Sequence, residues 1–170
     1  MSDIATRDAT IADAAALATL GADSFTQTFG HLYTPADLAL FLENHTVAAW
    51  DAELGDLAFA IRVAEKAGAL IGYAKLGPPH LPFTPESGAA ELRQLYVLGP
   101  WQGAGLAATL IEWVIATARN RGADALFLSV FTDNYRARRF YARYGFEPIG
   151  SYKFMVGTHA DEDIVMRLAL

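Results

Sequence analysis

Apolar residues recur every four positions at Leu106, Leu110, Val114 and Ala118, the spacing of one helix face. This predicts a helix from about Gly103 to Arg121, capped by Gly122. Ala125 to Phe131 is an almost unbroken apolar run, as in a strand covered on both faces. Asp133 and Asn134 then open a helix with the apolar stripe Ala137, Phe140, Tyr141 and Tyr144, closed by Gly145. Its polar side carries Arg136, Arg138, Arg139 and Arg143. Two final strands, Tyr152 to Val156 and Ile164 to Leu170, are expected around a polar turn from Gly157 to Asp163, in which Asp161-Glu162-Asp163 reads as solvated.

The first half predicts a short strand from Ile4 to Arg7 and a helix from Ala9 to about Phe29, ended by Gly30. Thr34-Pro35-Ala36-Asp37 is a helix start, with Thr34 as N-cap and Leu38, Phe41 and Leu42 on one face. A further helix is expected over Val47 to Leu54. Leu57 to Val63 and Ala69 to Leu76 read as a hairpin about Glu65-Lys66-Ala67-Gly68. Gly77 to Gly88 holds Pro78, Pro79, Pro82 and Pro85 and is expected to be a loop, and Glu91 to Val97 a strand. Helices alternating with strands indicate a mixed α/β architecture, and the absence of repeats or linkers points to one domain over residues 1–170.

Composition narrows the chemistry. With 53% hydrophobic and 19% charged residues the chain is too apolar for disorder. It has no cysteine, so thiol chemistry must come from a cofactor; with no leader-like start and no long apolar run, a cytoplasmic location is expected. The net charge of -6 argues against nucleic acid, and no stretch suggests a membrane span. The charge is unevenly spread: residues 1–60 hold nine acids against Arg7, whereas residues 61–170 are net positive. Such asymmetry fits either partners of opposite sign or two solvated faces. His31, His45, His80 and His159 lie at no metal-binding spacing, so no metal is expected.

Between the strand ending at Val97 and the following helix stands Gln102-Gly103-Ala104-Gly105-Leu106-Ala107. A helix start leaves about four N–H groups unpaired and partly positive, and glycines let an anion approach them. Turn geometry alone also accounts for such glycines. Gln102-x-x-Gly105-x-Ala107 resembles the signature with which GNAT acetyltransferases hold the pyrophosphate of coenzyme A. Asn134-x-x-Ala137-x-x-Phe140-Tyr141-x-x-x-Gly145-Phe146 is similar to that family's second signature. Ser24 to Phe29 and Asp163-Ile-Val-Met166 resemble the PaiA-like polyamine acetyltransferases more locally.

The resemblance implies the GNAT fold, of α/β (α+β) class: a central mixed, mostly antiparallel sheet flanked by helices, with fourth and fifth strands splayed to admit the pantetheine arm. It implies acetyl-CoA as cosubstrate and direct transfer of the acetyl group to a primary amine. The backbone of Leu95, Tyr96 and Val97 would pair with the arm. Gln102, Gly103, Ala104, Gly105, Leu106 and Ala107 would hold the pyrophosphate, with Gln102 standing where many relatives have arginine. Asn134 would reach the arm while serving as N-cap, and Arg143 lies where relatives place a cation near the 3'-phosphate; a solvated arginine is the plainer alternative. Tyr141 matches the family's general acid, although its place on the apolar stripe equally suits a core residue. Glu91 matches a carboxylate that deprotonates the amine in some members, while a glutamate at a strand start is often just exposed. The expected partners are a small-molecule amine acceptor, a polyamine or similar cation, and a second copy of the chain in a homodimer. A non-catalytic acyl-CoA sensor and a protein N-terminal acetyltransferase are the alternatives.

Overall fold

The computed structural model describes residues 3–81 and 87–170; Pro82 and Pro85 of the expected loop lie outside them. Seven strands form one sheet: β1 (Ala5–Asp8), β2 (Ala60–Lys66), β3 (Ala69–Gly77), β4 (Ala89–Val97), β5 (Ala125–Phe131), β6 (Glu147–Val156) and β7 (His159–Ala169). Their order is β1-β2-β3-β4-β5-β7-β6. Every neighbouring pair is antiparallel except β4 and β5, which run parallel.

Among the described residues five α-helices cover the sheet: α1 (Ala14–Phe29), α2 (Pro35–Leu42), α3 (Val47–Leu54), α4 (Leu106–Asn120) and α5 (Tyr135–Arg143). The four-residue repeat of α4 buries Leu106, Leu110, Val114 and Ala118 against Ile71, Leu92, Leu128 and Met166. The stripe of α5 packs on the same core through Ala137, Phe140, Tyr141 and Tyr144. On the opposite face Leu17 and Leu20 of α1 and Trp50 of α3 enclose Ile61, Val63 and Tyr73. Strand alternation therefore sends one set of side chains to the α4 and α5 layer and the other toward α1, α2 and α3.

Several boundaries differ from the sequence reading. The expected helix from Ala9 begins instead with a 3-10 turn, because the Asp13 carboxylate accepts from the Thr10 N–H at 2.7 Å and from Arg7 at 2.8 Å, bending the entry. Leu57 is 93% exposed, and β2 starts only at Ala60. The hairpin to β3 turns on Ala67 and Gly68, both at positive φ, the pair of conformations that suits strand twist. The largest correction concerns the end of the chain. No seven-residue polar turn exists there: β6 and β7 pair from Val156 and His159 onward, so Asp161 and Asp163 lie inside β7 and are buried rather than solvated.

Candidate active site

Strands β4 and β5 are paired only over Ala89–Glu91 and Ala125–Phe127, and then diverge. The rest of β4, Leu92 to Val97, keeps its bonds to β3 and offers an unpartnered edge toward β5. Leu95 and Val97 send their side chains to the α4 core, which leaves the backbone at that edge. The wedge opens into a groove of about 1140 Å³ lined by α1 on one side and by α4 and α5 on the other.

At one end of the groove the chain leaves β4, makes a 3-10 turn over Gly99–Trp101 and enters α4. Gly103 and Gly105 have φ of +83° and +81°, and nothing lies within 4 Å of where either would carry a Cβ. Leu106 anchors the helix start in the core, Ala107 lines the groove, and Ala104 is exposed without lining it. Gln102 is tied on both sides: its Nε2 donates to the Val97 carbonyl at 3.0 Å, and its Oε1 accepts from Arg136 at 2.9 Å. Arg136, which sequence spacing did not single out, thus places a cation beside position 102. Asn134 caps α5 by accepting from the Ala137 N–H at 3.2 Å, and Asn134, Arg136 and Arg143 all line the groove.

Four tyrosines, Tyr33, Tyr96, Tyr141 and Tyr152, and two aspartates, Asp161 and Asp163, also line the groove. Tyr141 is half-buried, and its hydroxyl is held above the ordinary phenol range by burial and then by the nearby Tyr96. The Tyr96 hydroxyl is raised by burial and by Asp163. Tyr33 donates to the Asp161 carboxylate, and burial followed by that bond raises it as well. Asp163 is only 6% exposed, and its pKa is pushed up to about 7 by burial first and by the Asp161 carboxylate second, against a hydrogen bond from Ser129. No cation among the described residues pairs with it. The alternation Asp161-x-Asp163-x-Val165, continuing the buried face of β7 backward, is the signal in the sequence that locates both aspartates.

Of the other polar residues of this face, Lys75 and Glu91 are paired, whereas the buried Ser24 Oγ and His45 Nδ1 have no hydrogen-bond partner among the described residues. Lys75 forms a buried ion pair with Glu53 and lies 4.0 Å from the centre of the Trp50 ring. Glu91, at the point where β4 and β5 part, is 2% exposed and not at the surface. Its Oε2 meets His80 Nδ1 at 2.5 Å and Arg93 Nε at 3.1 Å. Phe25, Phe29, Phe41 and Phe154 contribute an aromatic wall across from these carboxylates.

The sequence pattern described as the acetyltransferase (GNAT) family matches residues 22–146. The chain belongs to the GNAT family. A protein of Mycobacterium tuberculosis named an uncharacterized N-acetyltransferase is 36% identical over 155 residues, spanning 91% of this chain and 96% of the relative. The fold of this GNAT chain is shared with the PaiA N-acetyltransferase of Thermoplasma acidophilum, solved in complex with coenzyme A (TM-score 0.79, 19% identity, 99% of each chain). It is also shared with a ribosomal-protein-alanine N-acetyltransferase of Brucella melitensis (TM-score 0.74, 27% identity, 98% of this chain and 99% of that one).

This GNAT protein is an acetyl-CoA-dependent N-acetyltransferase. The free β4 edge offers strand-like hydrogen bonding, while the glycines at positive φ leave open the approach to the α4 N-terminus. Arg136 and Arg143 lie along the groove with that helix start, and the carboxylates lie along it with the α1 face. No helix among the described residues is long and apolar enough to cross a membrane.

Proposed function

We propose that the chain, acting as a single domain over residues 1–170, transfers acetyl from acetyl-CoA directly to the primary amine of a small cationic acceptor, a polyamine being the first to test. The observation that carries this reading is Asp163: a buried carboxylate in the groove, beside Asp161, with no cation of its own. A buried unpaired carboxylate is costly, and an ammonium group relieves that cost by pairing with it. The charge asymmetry of the sequence contributes less than its totals suggest. Of the first sixty residues' acids only Glu43 and Glu53 line the groove, and Glu53 is taken by Lys75.

In this reading the β4 edge at Leu95, Tyr96 and Val97 pairs with the pantetheine arm. The N–H groups from Gly103 to Ala107, together with Arg136, hold the pyrophosphate; Asn134 and Arg143 contact the arm and the 3'-phosphate. A backbone N–H of β4 faces the thioester oxygen, where negative charge develops. The new C–N bond forms as the C–S bond breaks, and Tyr141 protonates the departing thiolate. Gly105→Val is expected to weaken acetyl-CoA binding at least about tenfold. A β-branched residue at that φ costs the turn about 1–2 kcal/mol, and its side chain points into space the pyrophosphate needs. Calorimetry that finds wild-type affinity in the folded variant moves the phosphate site elsewhere.

The acceptor is tested by coenzyme A release over a panel of amines. Spermidine is expected to exceed neutral and acidic amines in kcat/KM, with an advantage that shrinks as salt rises, since the screening length is about 8 Å at physiological ionic strength. Acidic amines turning over as fast as spermidine would overturn the cationic reading and leave the acetyltransferase intact. A peptide α-amine is the second reading, favoured by the likeness to the Brucella melitensis enzyme. A peptide beginning with alanine therefore belongs in the panel.

A further inference from the structure

We propose that His80 is the base that takes the proton from the acceptor amine, and that Glu91 is its positioning residue. The Glu91 carboxylate is fully occupied. A carboxylate offers about four lone-pair directions, and four donors face this one. Oε2 meets His80 Nδ1 at 2.5 Å and Arg93 Nε at 3.1 Å, while Oε1 meets the backbone N–H groups of Leu81 at 3.3 Å and His80 at 3.4 Å. Glu91 lines the groove, but at 2% exposure and with four donors in place it has no free lone pair for an amine proton, and proton transfer to it requires breaking bonds that hold segment 78–81.

His80 has what Glu91 lacks. Both residues line the groove where β4 and β5 part, but the His80 side chain is 57% exposed against 2% for that of Glu91. A carboxylate oxygen accepts, so the ring nitrogen facing it, Nδ1, donates, and Nε2 keeps its lone pair for a proton from the amine. Segment 78–81 is fixed in place from β4. Register slips by one residue between Lys75 and Leu76, which leaves Arg93 as the extra residue on β4. Its guanidinium reaches both Glu91 and the Pro78 carbonyl, the latter at 3.0 Å, and packs over Phe59. Segment 78–81 is thereby clamped to the strand that also forms one wall of the wedge.

The proton balance is complete. An ammonium acceptor gives one proton to His80 Nε2 and becomes nucleophilic. Its nitrogen bonds the acetyl carbonyl carbon, the thiolate leaves with a proton from Tyr141, the second nitrogen proton restores the Tyr141 phenol, and His80 passes its proton to solvent. Net, one proton is released for each acetyl group transferred. The proposal requires an amine acceptor and does not require a polyamine.

The test uses the full chain and whichever primary amine the wild type acetylates fastest, so a failed preference for cations leaves it standing. His80→Ala is expected to lower kcat about 10²- to 10⁴-fold, with acetyl-CoA affinity by calorimetry unchanged and activity partly restored by added imidazole. His80→Asn keeps a donor for Glu91 but no basic nitrogen, and is expected to lose as much. Side-chain nitrogen NMR should find neutral His80 protonated on Nδ1 in the wild type, and no longer fixed so in Glu91→Gln. An asparagine variant within about threefold of wild type, an alanine loss that imidazole does not relieve, or a His80 protonated on Nε2 would each overturn the proposal.

Discussion

Replacing Tyr141 by phenylalanine is expected to lower kcat about 10²- to 10⁴-fold, the usual worth of a positioned general acid, while acetyl-CoA binding stays within a few-fold of wild type. The substitution keeps the ring and its edge contacts with Phe140 and Phe146 at 5.3 and 5.8 Å. Only the hydroxyl is lost. Burial and then Tyr96 hold that hydroxyl in its protonated form, which is the form a proton donor needs. Stopped-flow or steady-state release of coenzyme A measures kcat, and calorimetry measures affinity. A variant that turns over at the wild-type rate would return Tyr141 to the α5 core stripe, where its periodicity alone would have left it.

That double reading of Tyr141 illustrates what the residue pattern carries and what it omits. The four-residue spacing of α4, the apolar run of β5 and the stripe of α5 predict their elements to within a few residues, because each depends on local periodicity. The turn into α4 was legible for the same reason: a strand, two glycines and a helix start follow one another in the chain. Asp161 and Asp163 were missed because three consecutive acids resemble a solvated turn. Only pairing with β5 and β6, a non-local event, carries them into the groove. His80 is harder still. It lies eleven residues before Glu91, across a proline-rich loop, and only the folded backbone joins the two side chains. Arg136 was visible merely as one of four arginines, since its role depends on Gln102 of another element.

The other large effect is expected at Asp163, where stability and activity should change in opposite directions. In the folded protein this carboxyl titrates at about 7, against about 3.9 in an unfolded chain. Below pH 4 both states hold the proton. Between about 4 and 7 the unfolded chain gives it up while the folded one keeps it, so folding is increasingly disfavoured as pH rises, by up to a few kcal/mol above pH 7. Asparagine has nothing to titrate. The Tm of Asp163→Asn relative to wild type, without acceptor, is therefore expected to climb by several degrees from pH 5 to pH 8. The groups facing this position are Asp161, Ser129 and the hydroxyls of Tyr33, Tyr96 and Tyr152, and Glu91 also reaches Tyr152. None of them adds a cation that would restore the charged form, which leaves that part to the acceptor. With a cationic amine bound, the ionised carboxylate becomes favourable, and losing such a buried partner costs about 2–5 kcal/mol. Asp163→Asn should accordingly lose at least about 30-fold in kcat/KM for spermidine, and saturating spermidine should raise the wild-type Tm at pH 8 but not the variant's. A Tm difference that stays flat from pH 5 to 8 would remove the buried-charge argument, and unchanged kcat/KM would place the ammonium site away from β7.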